Sequence, residues 1–218
     1  MYTPKAFEVE DLTILHAAMN QSELATLVTT TTRGLVATHL PLLLDETRGQ
    51  YGTLTGHVSR ANLQWREADS EAEALIIFLG PDTYVSPSWY PAKQETGRVV
   101  PTWNYTAIHA YGRLTFFEDA ERLRTVVTEL TKRHEASFPR PWQVTDAPAV
   151  YIDSQLKAIV GFDFQILRLE GKQKFNQNRS AEDRTGVILG LRELRDERKT
   201  QVAELMEEIE SRRGPTEG

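Results

Sequence analysis

The chain changes period several times, and each change marks an element. Leu12, Leu15, His16 and Met19 recur at helical spacing behind Glu10 and Asp11, which predicts a short helix. Residues 24–32 are rich in β-branched side chains and read as a strand. Arg33-Gly34 reads as a turn and 35–44 as a second strand. A polar turn over 45–49 leads to a third strand over 50–57, so an antiparallel meander is expected. Residues 59–67 suit one or two helical turns. The run ALIIFL at 74–79 is a buried strand, Gly80-Pro81-Asp82 predicts a turn, and 83–86 continues extended. Pro87 and Pro91 break regular structure around Trp89 and Tyr90. Two strands follow over 99–105 and 108–117. Asp119 then caps a helix with an inner stripe of Leu123, Val126, Val127, Leu130 and His134. Residues 150–159 read as helical and 160–169 as the last strand. Ser180 with Asp183 opens a helical tail that Gly190 interrupts; 192–213 form one charge-balanced helix, which Gly214-Pro215 stops. This order predicts an α+β fold built on an antiparallel, barrel-like sheet; a doubly wound fold would alternate strand and helix.

Composition narrows the chemistry. The chain has 218 residues, 40% of them hydrophobic, enough for a real core. It has no cysteine, which excludes disulfides, thiolate metal sites and a Cys nucleophile. Lys and Arg number 25 against 31 Asp and Glu, a formal charge of -6, so direct DNA binding would need a local patch working against the global field. No apolar run reaches the roughly 20 residues of a membrane span, and no apolar segment follows Lys5. A soluble cytoplasmic protein is expected. The five histidines form no HExxH, and GxSxG, GxxxxGK[ST] and GxGxxG are all absent.

Three segments carry candidate chemistry. Gly-His-Val-Ser-Arg-Ala-Asn, residues 56–62, runs from a strand end into a short helix. Ser59 can cap that helix and Arg60 adds a fixed cation, so the segment can seat a phosphate; it also suits an ordinary turn with a solvated Arg. Tyr84, Ser86, Ser88, Trp89 and Tyr90, with Trp103, Asn104 and Tyr105, mix rings with hydroxyls and amides. That suits a planar heteroaromatic ligand, or equally a core or an interface. Residues 171–180 hold Lys172, Lys174 and Arg179 among four amides, either a second anion contact or a hydrated linker.

The segments MYTPKAFEVEDLTILHAAM, ATHLPLLLDE, GTLTGHVSRANLQW, YVSPSWYPAK, VVPTWNYTAIHAYGRL and GKQKFNQNRSAEDR occur in order and resemble the PaiB family, described as FMN-binding negative transcriptional regulators. The resemblance spans residues 1–190. It implies the antiparallel FMN-binding split barrel shared with pyridoxamine-phosphate oxidase-like proteins, with flanking helices, over 1–175. Residues 176–213 would form a C-terminal helical extension. It also implies a homodimer with flavin at the subunit interface and a regulatory role; the alternative is a flavin-dependent oxidoreductase or flavin reductase. In such barrels a Thr or Ser and an Arg or Lys at a strand end hold the flavin phosphate, which here carries over to Thr55, His57, Ser59, Arg60 and Asn62. The SPSWY and PTWNY motifs carry over to Ser86, Trp89, Trp103 and Asn104 near the ring or interface, and the GKQKF motif to Lys172. Leu63 stands where the family often has proline, and Gln173 where it often has an aromatic residue.

Overall fold

The computed structural model describes residues 1–213, so the Gly214-Pro215 stop lies outside the described residues. In chain order the elements are β1 (Glu8–Val9), α1 (Leu12–Gln21), β2 (Ala25–Thr31), β3 (Gly34–Leu40), β4 (Leu43–Asp45), β5 (Thr53–Ser59), α2 (Gln64–Glu67), β6 (Ala74–Val85), α3 (Ala92–Glu95), β7 (Thr102–Phe117), α4 (Ala120–Glu135), α5 (Ala149–Leu156), β8 (Ile159–Lys174), α6 (Ala181–Glu193) and α7 (Glu197–Arg213). The chain divides into two compact units. A barrel unit comprises 11–78 and 108–169; a helical unit comprises 1–10, 79–107 and the described residues from 170 onward.

The barrel unit explains itself from its strands. Their order is β3-β2-β6-β7-β8-β5-β4. The pairings β2–β3, β2–β6, β4–β5 and β5–β8 are all antiparallel. Alternation is clean in β2, where Ala25, Leu27, Thr29 and Thr31 are buried. The ends of the strand order meet: a Cβ on Gly56 in β5 would lie 3.1 Å from Leu40 Cδ1 in β3 and 2.7 Å from Leu42 Cδ2. A glycine here leaves room for the side chains of Leu40 and Leu42 where the barrel closes. α4 lays Leu123, Val126 and Leu130 inward, and Asp119 caps it by accepting from the Arg122 amide at 2.8 Å.

The expected three-strand meander is corrected here. Pro41 splits residues 35–44 into β3 and β4, because proline has no N–H to give a ladder. β3 pairs with β2 while β4 pairs with β5, so they stand at opposite ends of the strand order. The turn expected at Gly80-Pro81 is absent; β6 runs through it to Val85. Pro81 lies beyond the β2–β6 ladder, which ends at Ile77, so its missing N–H costs no bond on that side. The two strands expected over 99–117 are one strand, β7.

The helical unit packs α6 and α7 around one apolar cluster. Val85, Tyr90, Phe175, Val187, Leu191, Val202, Ala203 and Met206 are buried together. Ser180 caps α6 as expected, accepting from the Asp183 amide at 3.2 Å. Gly190 does not interrupt α6. A Cβ there would come 2.4 Å from Trp89 Cδ1, so the glycine makes room for that ring. The single helix expected over 192–213 is instead broken before α7. Arg195 takes a left-handed φ of 51°, and the Asp196 carboxylate accepts from the Lys199 amide at 3.1 Å to start the new helix.

Candidate functional site

Ten residues were singled out by sequence, five in each unit. In the barrel unit, strand alternation sends Thr55, His57 and Ser59 to one face of β5, away from the buried Leu54, Gly56 and Val58. Ser59 ends β5, paired with Ile159 of β8, and does not cap a helix. Its hydroxyl accepts from the Ala61 amide at 3.3 Å. The short helix α2 begins only at Gln64, whose amide donates to Asn62 Oδ1 at 3.0 Å. Asn62 Nδ2 also donates to Thr38 at 2.8 Å, and Gln64 donates to Thr29 at 3.0 Å. Asn62 thus ties the loop to the barrel.

Arg60 is held on three sides. Nε donates to Lys157 O at 2.7 Å, Nη2 donates to Ile159 O at 3.2 Å, and Nη1 pairs with Glu118. These contacts orient the guanidinium and leave part of its fork for a ligand. It lines a cavity of about 450 Å³ with Glu118, Leu123, Asp153 and Lys157.

His57 is the open position. Its Nδ1 is buried and has no hydrogen-bond partner. Burial pushes its pKa below the ordinary histidine value, so the ring is held toward the neutral form. A neutral imidazole with an unspent buried nitrogen is a polar group whose partner has still to arrive.

Thr55 belongs to a cluster that no local motif announces. It donates to Asp163 Oδ1 at 2.9 Å, while Oδ2 accepts from Arg48 at 2.8 Å and from Arg122 at 3.0 Å. Burial opposes ionisation of Asp163, but the bonds from Arg48 and Thr55 and the two guanidinium charges outweigh it and hold the carboxyl below its usual value. These residues line a cavity of about 290 Å³ with Leu43, Asp45 and Thr125. Arg48, Arg122 and Asp163 come from a turn, a helix and a distant strand, so spacing carried no signal of them.

In the helical unit, Ser86 accepts from the Ser88 amide at 3.2 Å and shapes the Pro87 turn. Trp89 is half-buried against the apolar cluster, its ring over Gly190. Trp103 is 48% exposed; its Nε1 donates to Asp82 at 3.0 Å and its ring meets Tyr84 edge-on. Asn104 is fully buried, with Nδ2 on Met206 Sδ at 3.5 Å and Oδ1 without a partner. Lys172 is buried, and its Nζ donates to Tyr2 O at 3.1 Å. Among the described residues no group of acidic or histidine side chains could hold a metal, and no helix is long and apolar enough to cross a membrane.

Comparison with known proteins identifies the family and the fold. Residues 1–168 match the family model described as "Putative FMN-binding domain". The chain is 34% identical to Protease synthase and sporulation protein PAI 2 of Bacillus subtilis over 208 residues, 95% of this chain and 97% of that one. It is also 34% identical to an uncharacterized protein of Aspergillus fumigatus, covering 80% and 82% of the two chains. Among solved structures, the FAD and heme binding protein of Mycobacterium smegmatis superposes with a TM-score of 0.55 at 14% identity, over 82% of this chain and 78% of that one. The flavocytochrome Anf3 of Azotobacter vinelandii gives 0.55 at 15% identity, over 82% and 75%. At such identities the two structures speak for the fold. With its antiparallel barrel, flanking helices and full-length kinship to PAI 2, the chain belongs to the FMN-binding split-barrel family of the PaiB type.

Proposed function

We propose that this chain works as a homodimer, that the outer face of β5 holds the phosphate end of its FMN, and that it serves a regulatory role. The observation that carries the reading is the row of Thr55, His57 and Ser59 on one face of β5, followed directly in sequence by Arg60, whose guanidinium is held by Lys157 O, Ile159 O and Glu118. The Ser59 O–H, an imidazole nitrogen with no protein partner and a fixed cation fit a phosphate, while Thr55, whose O–H is spent on Asp163, can accept from the hydroxyls of the ribityl chain. When bound, the flavin supplies its redox-active ring. The protein's own groups hold and orient it, and the neutral His57 can carry a hydrogen bond without adding charge.

Titrating FMN and riboflavin by flavin fluorescence tests the phosphate seat. FMN should bind at least tenfold tighter, and Ser59→Ala with Arg60→Ala should erase most of the difference. Equal affinities for the two flavins overturn it. Symmetric association is the commonest way to cover exposed rings such as Trp103. Sedimentation should give a dimer at micromolar concentration, and a flavin-loaded monomer overturns that part. The oxidoreductase reading is favoured by one observation, the neutral His57 beside the proposed flavin. Turnover of a nicotinamide reductant with FMN, lost in His57→Gln, would move the conclusion to it.

A further inference from the structure

We propose that Lys172 and Lys174 form an oxyanion site in the helical unit, taking the carboxylate or phosphate of a small ligand other than the flavin. The two lysines alternate on β8 and so face the same side. Lys172 is only 8% exposed. Its Nζ meets the Tyr2 carbonyl at 3.1 Å and lies 5.2 Å from the Tyr105 ring and 5.8 Å from the Tyr2 ring. Lys174 Nζ donates to Thr102 Oγ1 and, at 2.8 Å, to Trp103 O. Among the described residues neither ammonium forms an ion pair with a carboxylate.

The nearby acids are otherwise engaged or turned outward. Glu170 pairs with the Met1 amino group, and Asp82 accepts from the Trp103 indole. Glu8, the cross-strand partner of Lys172, is exposed and makes no ion pair with it.

A buried ammonium without a counter-ion is costly, and cation–π contacts with Tyr2 and Tyr105 offset only part of that cost. Burial, and then the like charge of Lys172, push the Lys174 pKa below its usual value; the two charges feel each other. An oxyanion held by both would supply the missing counter-charge and offset their mutual repulsion. The donor count fits. Each ammonium has three N–H groups; one contact is spent on Lys172 and two on Lys174, which leaves three donors for the oxygens of a carboxylate or phosphate. Tyr2 is 85% exposed and Tyr105 half-buried, and both rings lie within 5.8 Å of the Lys172 ammonium, which suits a planar body behind the oxyanion. The buried Thr3 hydroxyl, next in the chain after Tyr2, lacks any partner and adds one more donor on this segment.

The test uses full-length, FMN-saturated protein at low ionic strength, titrated with inorganic phosphate and with benzoate by calorimetry. Wild type should bind at least one probe, and Lys174→Gln should weaken it about tenfold. Lys132→Gln, on an exposed face of α4 in the barrel unit, should leave binding unchanged. Lys174 is half-buried, so its variant keeps the test valid if the more buried Lys172→Gln fails to fold. Phosphate and benzoate arms tell a phosphate ligand from a carboxylate one. The proposal is overturned if neither probe binds wild type, or if Lys174→Gln binds both as wild type does. It is also overturned if the variant loses affinity for FMN but not for riboflavin, since the oxyanion would then be the flavin's own phosphate.

Discussion

Asp163→Asn isolates the charge cluster behind β5. The wild-type carboxylate accepts from Thr55 at 2.9 Å, Arg48 at 2.8 Å and Arg122 at 3.0 Å. Its side chain is 17% exposed, while both guanidiniums are half exposed. A buried charge-assisted bond contributes about 1.5–3 kcal/mol, and an exposed ion pair about 0.2–1 kcal/mol. Taking each arginine contact near 1 kcal/mol because of its exposure, and the hydroxyl bond near 0.5–1 kcal/mol, the amide should cost about 2–3 kcal/mol. Part of that is two guanidiniums left facing each other without their anion. The pH dependence fixes the cause. The folded pKa of Asp163 lies below its unfolded value, so the unfolded chain takes up the proton first as pH falls. The stabilisation is therefore fully present above about pH 5 and fades as pH falls through the lowered folded pKa. Urea unfolding of both proteins at pH 7 and at several points down to about pH 3 measures it. The gap should be widest at pH 7 and narrow toward acid. Equal stability at pH 7, or a gap that persists unchanged to pH 3, refutes the argument that the charge is what matters.

Three further outcomes follow from the same structure. Gly186→Ala would place a Cβ 2.1 Å from the Trp89 carbonyl oxygen, and because backbone must move it should cost about 1–3 kcal/mol in thermal unfolding; a neutral substitution contradicts the close packing of this loop on α6. His57 should titrate below its ordinary value of 6.5 by NMR, and because the unfolded chain protonates first, wild type should lose stability relative to His57→Gln as pH falls from about 7; a normal titration contradicts the buried neutral ring. Duplex DNA should bind only weakly in anisotropy titrations at physiological salt, because the charge is -6 and Lys172 is buried; nanomolar affinity with a salt slope reporting about six phosphates overturns that expectation.

What the sequence disclosed depended on whether the cause was local. α1, α4 and α6 were legible because each carries its own start signal, Asp11, Asp119 and Ser180, followed by an apolar stripe. β2 was legible because one face is buried and the other is not. β7 read as two strands because Thr106, Ala107 and Ile108 are all buried, and a strand covered on both faces loses its alternation. Asp196 looked like one more charge in a balanced helix, yet its carboxylate caps α7. Pro41 was a visible break whose consequence, two strands at opposite ends of the barrel order, depended on partners far along the chain.

The same division runs through the candidate site. The β5 face is local, because alternation alone sends Thr55, His57 and Ser59 together, and the segment was legible before any coordinate. What fixes its chemistry is remote. Arg60 is oriented by Glu118, Lys157 and Ile159, and Thr55 by an Asp163 that two arginines hold ionised. A guanidinium free in solvent would pay rotamer entropy to meet a ligand, whereas one already held by two carbonyls and a carboxylate has paid it in folding. That preorganisation is what supports the proposed phosphate seat over an ordinary strand-to-helix turn, and it lies in contacts between residues 58 to 99 positions apart. The sequence could therefore propose the segment, while what orients its arginine comes from the barrel that brings those partners round it.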